Sequence, residues 1–284
     1  MGIPAKAFVQ APPTEWEPVS HFATYVKYLL GQEKGQIPAT WTEPAKELLL
    51  EVVSEAADKT YLTDLIEVFE DEECIEAGNA LEQQALAMVV QRGWRGWDSV
   101  LIPIYDMMNH VNDEEKLNTD SNSVFSAEGV LVWASKIIEV GEEVFLTYDN
   151  CSDCDGISEH SGTEELLQDF GFVELYPQTF YFQETQALFS VDKVTNEEER
   201  KSYHVEIERL GDESPSCEGI AWMKEEYQRL QTLQYNGSLS KRQHLMPEKE
   251  SNTIFQYHQA LTVALKVAIE DLEGDNENVY YDEL

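Results

Sequence analysis

The hydrophobic pattern of this chain changes period twice, and that switch restricts the folds open to it. From "WEPVSHFATYVKYLLGQ" to about Arg92, apolar residues recur every three or four positions among many carboxylates, as in "TEPAKELLLEVVSEAADKTYLTDLIEVFEDEE". That is the spacing of one helical face. "NALEQQALAMVVQR" repeats it, which predicts Leu81, Ala85, Met88 and Val89 on one apolar face and Gly93 as the stop. Between 99 and 148 the runs are short and rich in β-branched and aromatic residues: "SVLIPIY", "SNSVFS", "GVLVWAS" and "EEVFLTY". "SAEG" and "EVGEE" read as turns, with Gly141 free to take positive φ. "TEELLQDFGF" reads as a short helix with Thr163 as N-cap and Glu164 and Glu165 in its first turn. "TFYFQETQALFS" reads as a strand pair, and from about 194 onward the chain reads as helical again. The pattern predicts an α+β fold. A helical region over 1–92 precedes small twisted sheets over 93–180, and a mostly helical region follows over 181–284.

The chemistry-bearing stretch is "DMMNH", residues 106–110, directly behind the apolar run "SVLIPIY". Polar groups at the edge of a core cost about 1–3 kcal/mol each unless partnered. Either these residues tie the chain to itself or they hold a ligand. Charge narrows the ligand: 19 Lys+Arg against 55 Asp+Glu gives −36. Nucleic acid and anionic membrane surfaces want the opposite sign, whereas a basic protein segment is attracted. The same balance also suits an acidic cytosolic protein or one from a saline habitat. No window of ~18 apolar residues exists, and "MGIPAKAFVQAPP" has no apolar run of signal-peptide length. Four cysteines are too few for a disulfide scaffold of this size and point to a reducing compartment. A cytoplasmic location is the expectation, with nucleus or plastid open. Cys151, Cys154 and His160 offer three ligands where structural zinc wants four. No metal site is expected, and 149–162 reads as a polar loop.

Three stretches in order resemble one family. "VVQRGW…LIPIYDMMNH" is similar to an Arg-containing helix end followed by an Asp–x–x–Asn–His motif. "IIEVGEEVFLTYD" is similar to a Gly-Glu-Glu turn leading to a catalytic tyrosine, and "EELLQDFGFV" to a closing leucine-rich helix with Gly-Phe. Together they resemble the SET-domain methyltransferases of the Rubisco large-subunit methyltransferase-like class. The resemblance implies small SET sheets with a helical insert, a helical C-terminal substrate-binding domain, and S-adenosylmethionine as cofactor. It implies that Asn109 and His110 bind the cofactor's two ends, largely through backbone, and that Asp106 fixes the turn. Arg92 would pair with the cofactor carboxylate. Phe172 would line the cofactor or close a lysine channel, and Tyr148 would be the catalytic residue. Plainer roles stand beside these: satisfied backbone at Asn109 and His110, a helix-end cation at Arg92, a buried strand-end Tyr148, and core packing at Phe172.

The implied activity is protein-lysine N-methylation. A lysine amine has an ordinary pKa near ~10.4 and must lose its proton before it attacks. It must also be held about 3–3.5 Å from the methyl, in line with the breaking bond. A hydroxyl and backbone carbonyls can orient it, and an aromatic wall can shelter the cation. No paired carboxylates are needed. Histidine remains open as acceptor. The alternative is a non-catalytic SET-like module engaging a basic protein partner. One departure supports it: "MGIPAKAFVQAPPTEW" holds no Gly-x-Gly stretch, which in the class lets backbone approach the ligand closely. Its absence predicts weak cofactor binding and an uncovered sheet edge.

Overall fold

A computed structural model describes residues 3–4, 21–53, 62–94, 100–121, 130–148, 162–182, 184–185, 187–195, 201–209, 216–235 and 237–273. The turn "SAEG", residues 149–161 with Cys151, Cys154 and His160, and the last eleven positions lie outside them.

Among the described residues before 93 lie the helices α1 (Ala23–Leu30), α2 (Glu43–Val52), α3 (Leu65–Asp71) and α4 (Ala80–Arg92). Helix α2 shows why they form. Pro44 sits in its first turn, where its missing N–H costs nothing, and Ala45, Leu48, Leu49 and Val52 bury one face at helical spacing. Its last carbonyls are capped from far away: the Arg229 guanidinium donates to the carbonyls of Glu51 and, at 2.8 Å, Val52. Helix α4 opens on Asn79, whose side chain accepts from the N–H groups of Leu81 and Glu82. It stops at Gly93 in extended backbone. Its buried face differs from the predicted one. Ala85 and Met88 are inside, but Leu81 is 48% exposed while Gln84 is 9% exposed.

The β region is built of very short strands. β1 (Ile3–Pro4), β2 (Gly93–Trp94) and β3 (Val100–Leu101) form an antiparallel sheet with β3 in the middle. Ile3 faces Leu101 and Pro4 faces Val100 across this ladder. The run "SVLIPIY" is a strand only at Val100–Leu101. Pro103 cannot extend a ladder, and Ile104 takes φ 78° with 70% of its surface exposed. A single 3₁₀ turn, Tyr105–Met107, then aims the chain into β4 (Asn109–His110). β5 (Thr119–Ser121) pairs antiparallel with β6 (Val132–Ala134). Gly141 takes φ 90° at the turn before β7 (Phe145–Leu146), and β7 returns parallel to β4.

Helix α5 (Thr163–Phe170) follows, with Glu164 and Glu165 in its first turn as predicted. The N-cap is Gly162. Thr163 lies one position inside and gives its hydroxyl to the Glu174 carboxylate at 2.6 Å. Three antiparallel strands come next: β8 (Gln178–Phe182), β9 (Ala187–Thr195) and β10 (Lys201–Arg209). β10 corrects the expectation of helix from 194 onward. Helices α6 (Cys217–Tyr235), α7 (Ser238–Arg242) and α8 (Glu248–Leu272) are the last of the described elements. One core joins α2 to this C-terminal part, with Leu48, Leu49, Phe180, Phe189, Met223 and Leu230 among its members. Among the described residues no helix is long and apolar enough to cross a membrane.

Candidate functional site

The parallel pair β4–β7 is the scaffold. Asn109 faces Phe145 and His110 faces Leu146 across the ladder. Asn118 locks the strand from the side: its amide donates to the Glu143 carbonyl at 2.8 Å, and its oxygen accepts the Phe145 N–H at 2.9 Å. This brings Tyr148 onto the 106–110 stretch. The Tyr148 backbone N–H donates to His110 Nδ1 at 2.9 Å, and its hydroxyl donates to the Met108 carbonyl at 2.5 Å. Because Nδ1 accepts, the neutral ring carries its proton on Nε2. That buried nitrogen has no partner among the described residues. Burial pushes the His110 pKa down to about 4 and the Tyr148 pKa up to about 12.

Aromatic rings close around Tyr148. The Phe170 ring centroid lies 4.5 Å away and that of His110 5.1 Å away, while Phe172 lies 5.9 Å from His110. The other wall is ionic. Arg92, at the end of α4, donates to the Asp106 carbonyl oxygen at 2.8 Å, and the same nitrogen stands 4.0 Å from the Asp106 carboxylate. That carboxylate is only 1% exposed and accepts from the Tyr25 hydroxyl. Desolvation raises the pKa of Asp106, and it raises that of Tyr25 too, with the Asp106 bond adding to the latter. Arg92 Nε and Asp106 Oδ1 are buried without partners among the described residues.

A cavity of about 290 Å³ lies between these walls, at the low end for ligand pockets, about 300–1,000 Å³. Of the six residues singled out in the sequence, Arg92, Asp106, Asn109, Tyr148 and Phe172 line it. His110 stands behind Tyr148 and holds its backbone. The Asn109 side chain is exposed and donates to the Glu143 carboxylate. Sequence reasoning missed Gln36, Gln91, Phe170, Gly171 and Lys249, which also line the cavity. Phe170 and Gly171 sat inside a quoted motif and Gln91 beside Arg92. Nothing local marks Gln36 or Lys249.

No protein-family model matches the chain, and no curated protein matches it. Among solved structures, one described as Rubisco LSMT bound to AdoMet aligns over 92% of this chain and 74% of that one, at 12% identity and a TM-score of 0.43.

Proposed function

We propose that this cavity binds S-adenosylmethionine and that the chain transfers its methyl group to a lysine of a protein with a basic segment. The observation that carries the proposal is the Tyr148 hydroxyl on the Met108 carbonyl, in one cavity with the unpartnered atoms of Arg92 and Asp106. The residues present suit such a ligand. Arg92 Nε is a charged donor for a carboxylate, and Asp106 Oδ1 is an acceptor for an ammonium. When bound, the cofactor supplies a methyl group on a sulfonium that a neutral amine can take in line.

The chain's own residues then position and desolvate. With a pKa of about 12, Tyr148 stays protonated at neutral pH, so its hydroxyl orients and does not remove a proton. It fixes the Met108 carbonyl, whose second lone pair is free to accept from an incoming amine. Tyr148, Phe170 and Phe172 give a cation an aromatic wall and exclude water. The acceptor's proton leaves to solvent before attack. Calorimetric titration of the full chain with S-adenosylmethionine tests the proposal, followed by labelled methyl transfer to a panel of basic proteins. Heat of binding with label on lysine supports the proposal. No heat at millimolar cofactor ends it.

A second reading is a non-catalytic module that engages a basic partner. The net charge of −36 favours it. It predicts capture of basic proteins with no transferred label.

A further inference from the structure

Helix α8 brings a second cation to the site cavity. Lys249 lines it together with Arg92, and among the described residues of that lining Asp106 is the one carboxylate. Asp106 is already engaged: it accepts from the Tyr25 hydroxyl and stands 4.0 Å from Arg92. In the whole chain carboxylates outnumber Lys and Arg by 55 to 19. Two cations to one carboxylate is therefore a local inversion of the charge balance, and it suits an anionic group of a ligand.

Helix stability does not account for Lys249. It is the second residue of α8, between Glu248 and Glu250, where the positive end of the helix dipole disfavours a cation. Its backbone is nonetheless held in place. The neighbouring Glu250 carboxylate is 7% exposed and accepts from the Thr42 hydroxyl at 2.6 Å and from the Thr42 N–H at 3.3 Å. Thr42 is the N-cap residue of α2, so the first turn of α8 is fastened to the start of α2. The Lys249 ammonium itself pairs with Glu33 at 3.1 Å, and the two side chains are 52% and 68% exposed. Water screens such a pair, and it contributes little to the folded state. A lysine on a fixed backbone, with a flexible four-carbon stem, can exchange that partner for another anion at small cost.

We infer that Lys249 leaves Glu33 when ligand enters and takes the carboxylate of S-adenosylmethionine, sharing it with Arg92. The inference rests on the S-adenosylmethionine reading of the cavity. A carboxylate has two oxygens and accepts from two cations at once, and it is the only anionic group of that cofactor. Glu33 is then a competitor of the ligand for one ammonium. The exchange also makes α8 part of the binding site, in a cavity whose other lining residues all fall between 36 and 172.

The test measures binding of S-adenosylhomocysteine and of 5′-methylthioadenosine to the full chain by calorimetry. The first keeps the carboxylate and the second lacks it. Lys249→Met is expected to weaken the first about tenfold, the scale of one charge-assisted contact, and to leave the second within about twofold. Lys249→Arg should retain most of the affinity. Glu33→Gln is expected to tighten S-adenosylhomocysteine several-fold by freeing the ammonium, and to do nothing when combined with Lys249→Met. Unchanged affinity in Lys249→Met, an equal loss with both ligands, or a Glu33→Gln chain that binds no tighter than the parent would each overturn the inference. Binding of S-adenosylhomocysteine that ignores both substitutions overturns it while the cofactor reading stands. No binding by any variant, the parent included, ends both.

Discussion

Tyr148 is held at both ends by the 106–110 stretch, its N–H on His110 and its hydroxyl on Met108. Tyr148→Phe removes only the second bond and keeps the ring against Phe170. Turnover is expected to fall about 10²-fold, the scale of one lost hydrogen bond at a reacting centre, with cofactor affinity within a few-fold. Unchanged turnover would remove the hydroxyl from the chemistry. Two other groups set the pH response. His110 is held at about 4, below its ordinary value. Its contribution is present above pH 6.5 and is lost as pH falls toward 4, at most about 3 kcal/mol. Glu164 has the opposite sign. Burial and the neighbouring Glu165 push it up to about 7, and the Tyr257 hydroxyl donates to it at 3.5 Å. Its contribution is present below about pH 4.5 and is lost as pH rises through 7. The two offset each other between pH 4.5 and 6.5, and Glu164 dominates above. Glu164→Gln is expected to melt above the parent at pH 8, with the gap closing by pH 5. A pH-independent gap in thermal scans would show that Glu164 does not titrate there.

Helix α5 ends where the site begins, and Gly171 makes the junction. It takes φ 73°, and an added Cβ would stand 1.6 Å from the Gln36 carbonyl oxygen. Gly171→Ala is therefore expected to cost upward of about 3 kcal/mol, combining a left-handed backbone that is unfavourable for Ala by about 1–2 kcal/mol with a backbone clash. Denaturant unfolding checks it, and a loss under 1 kcal/mol would show that the Gln36 segment moves freely. This element was legible: its carboxylates, leucines and Gly-Phe ending stand in one local run. Other elements were legible only in part. The period of α4 was right and its phase was not, because a buried Gln84 carries no apolar signal. "SVLIPIY" looked like a core strand, but the chain turns at Pro103 and leaves Ile104 in solvent. β10 was missed because "EEERKSYHVEIER" has the charge content of an exposed helix, although Tyr203, Val205 and Ile207 alternate with the period of a strand. The motifs delivered five cavity residues. Lys249 and Gln36 arrive from distant segments by tertiary packing, and no spacing rule announces that.

At the scale of the whole molecule, charge is the dominant field. The chain carries −36, and many of its few cations are already engaged. Arg242 pairs with Glu51 at 2.6 Å, Lys116 with Asp113 at 2.9 Å and Lys249 with Glu33 at 3.1 Å, while Lys224 pairs with Glu273. Each of these pairs has at least one side chain more than a third exposed, and such pairs contribute about 0–1 kcal/mol each. Repulsion among the unpaired carboxylates opposes the folded state more strongly. Salt shortens the reach of that repulsion, to about 10 Å at 0.1 M and 3 Å at 1 M. Raising NaCl from 10 mM to 0.5 M is therefore expected to raise the melting temperature, by about 5 °C if screening recovers roughly 2 kcal/mol. Capture of an arginine-rich peptide is expected to weaken over the same range, since the long-range attraction is screened by the same ions. The two readouts should thus move in opposite directions under one variable. A melting temperature that falls with salt would mean that the surface ion pairs outweigh the repulsion. Peptide binding indifferent to salt would mean that the acidic surface plays no part in recruiting a basic partner.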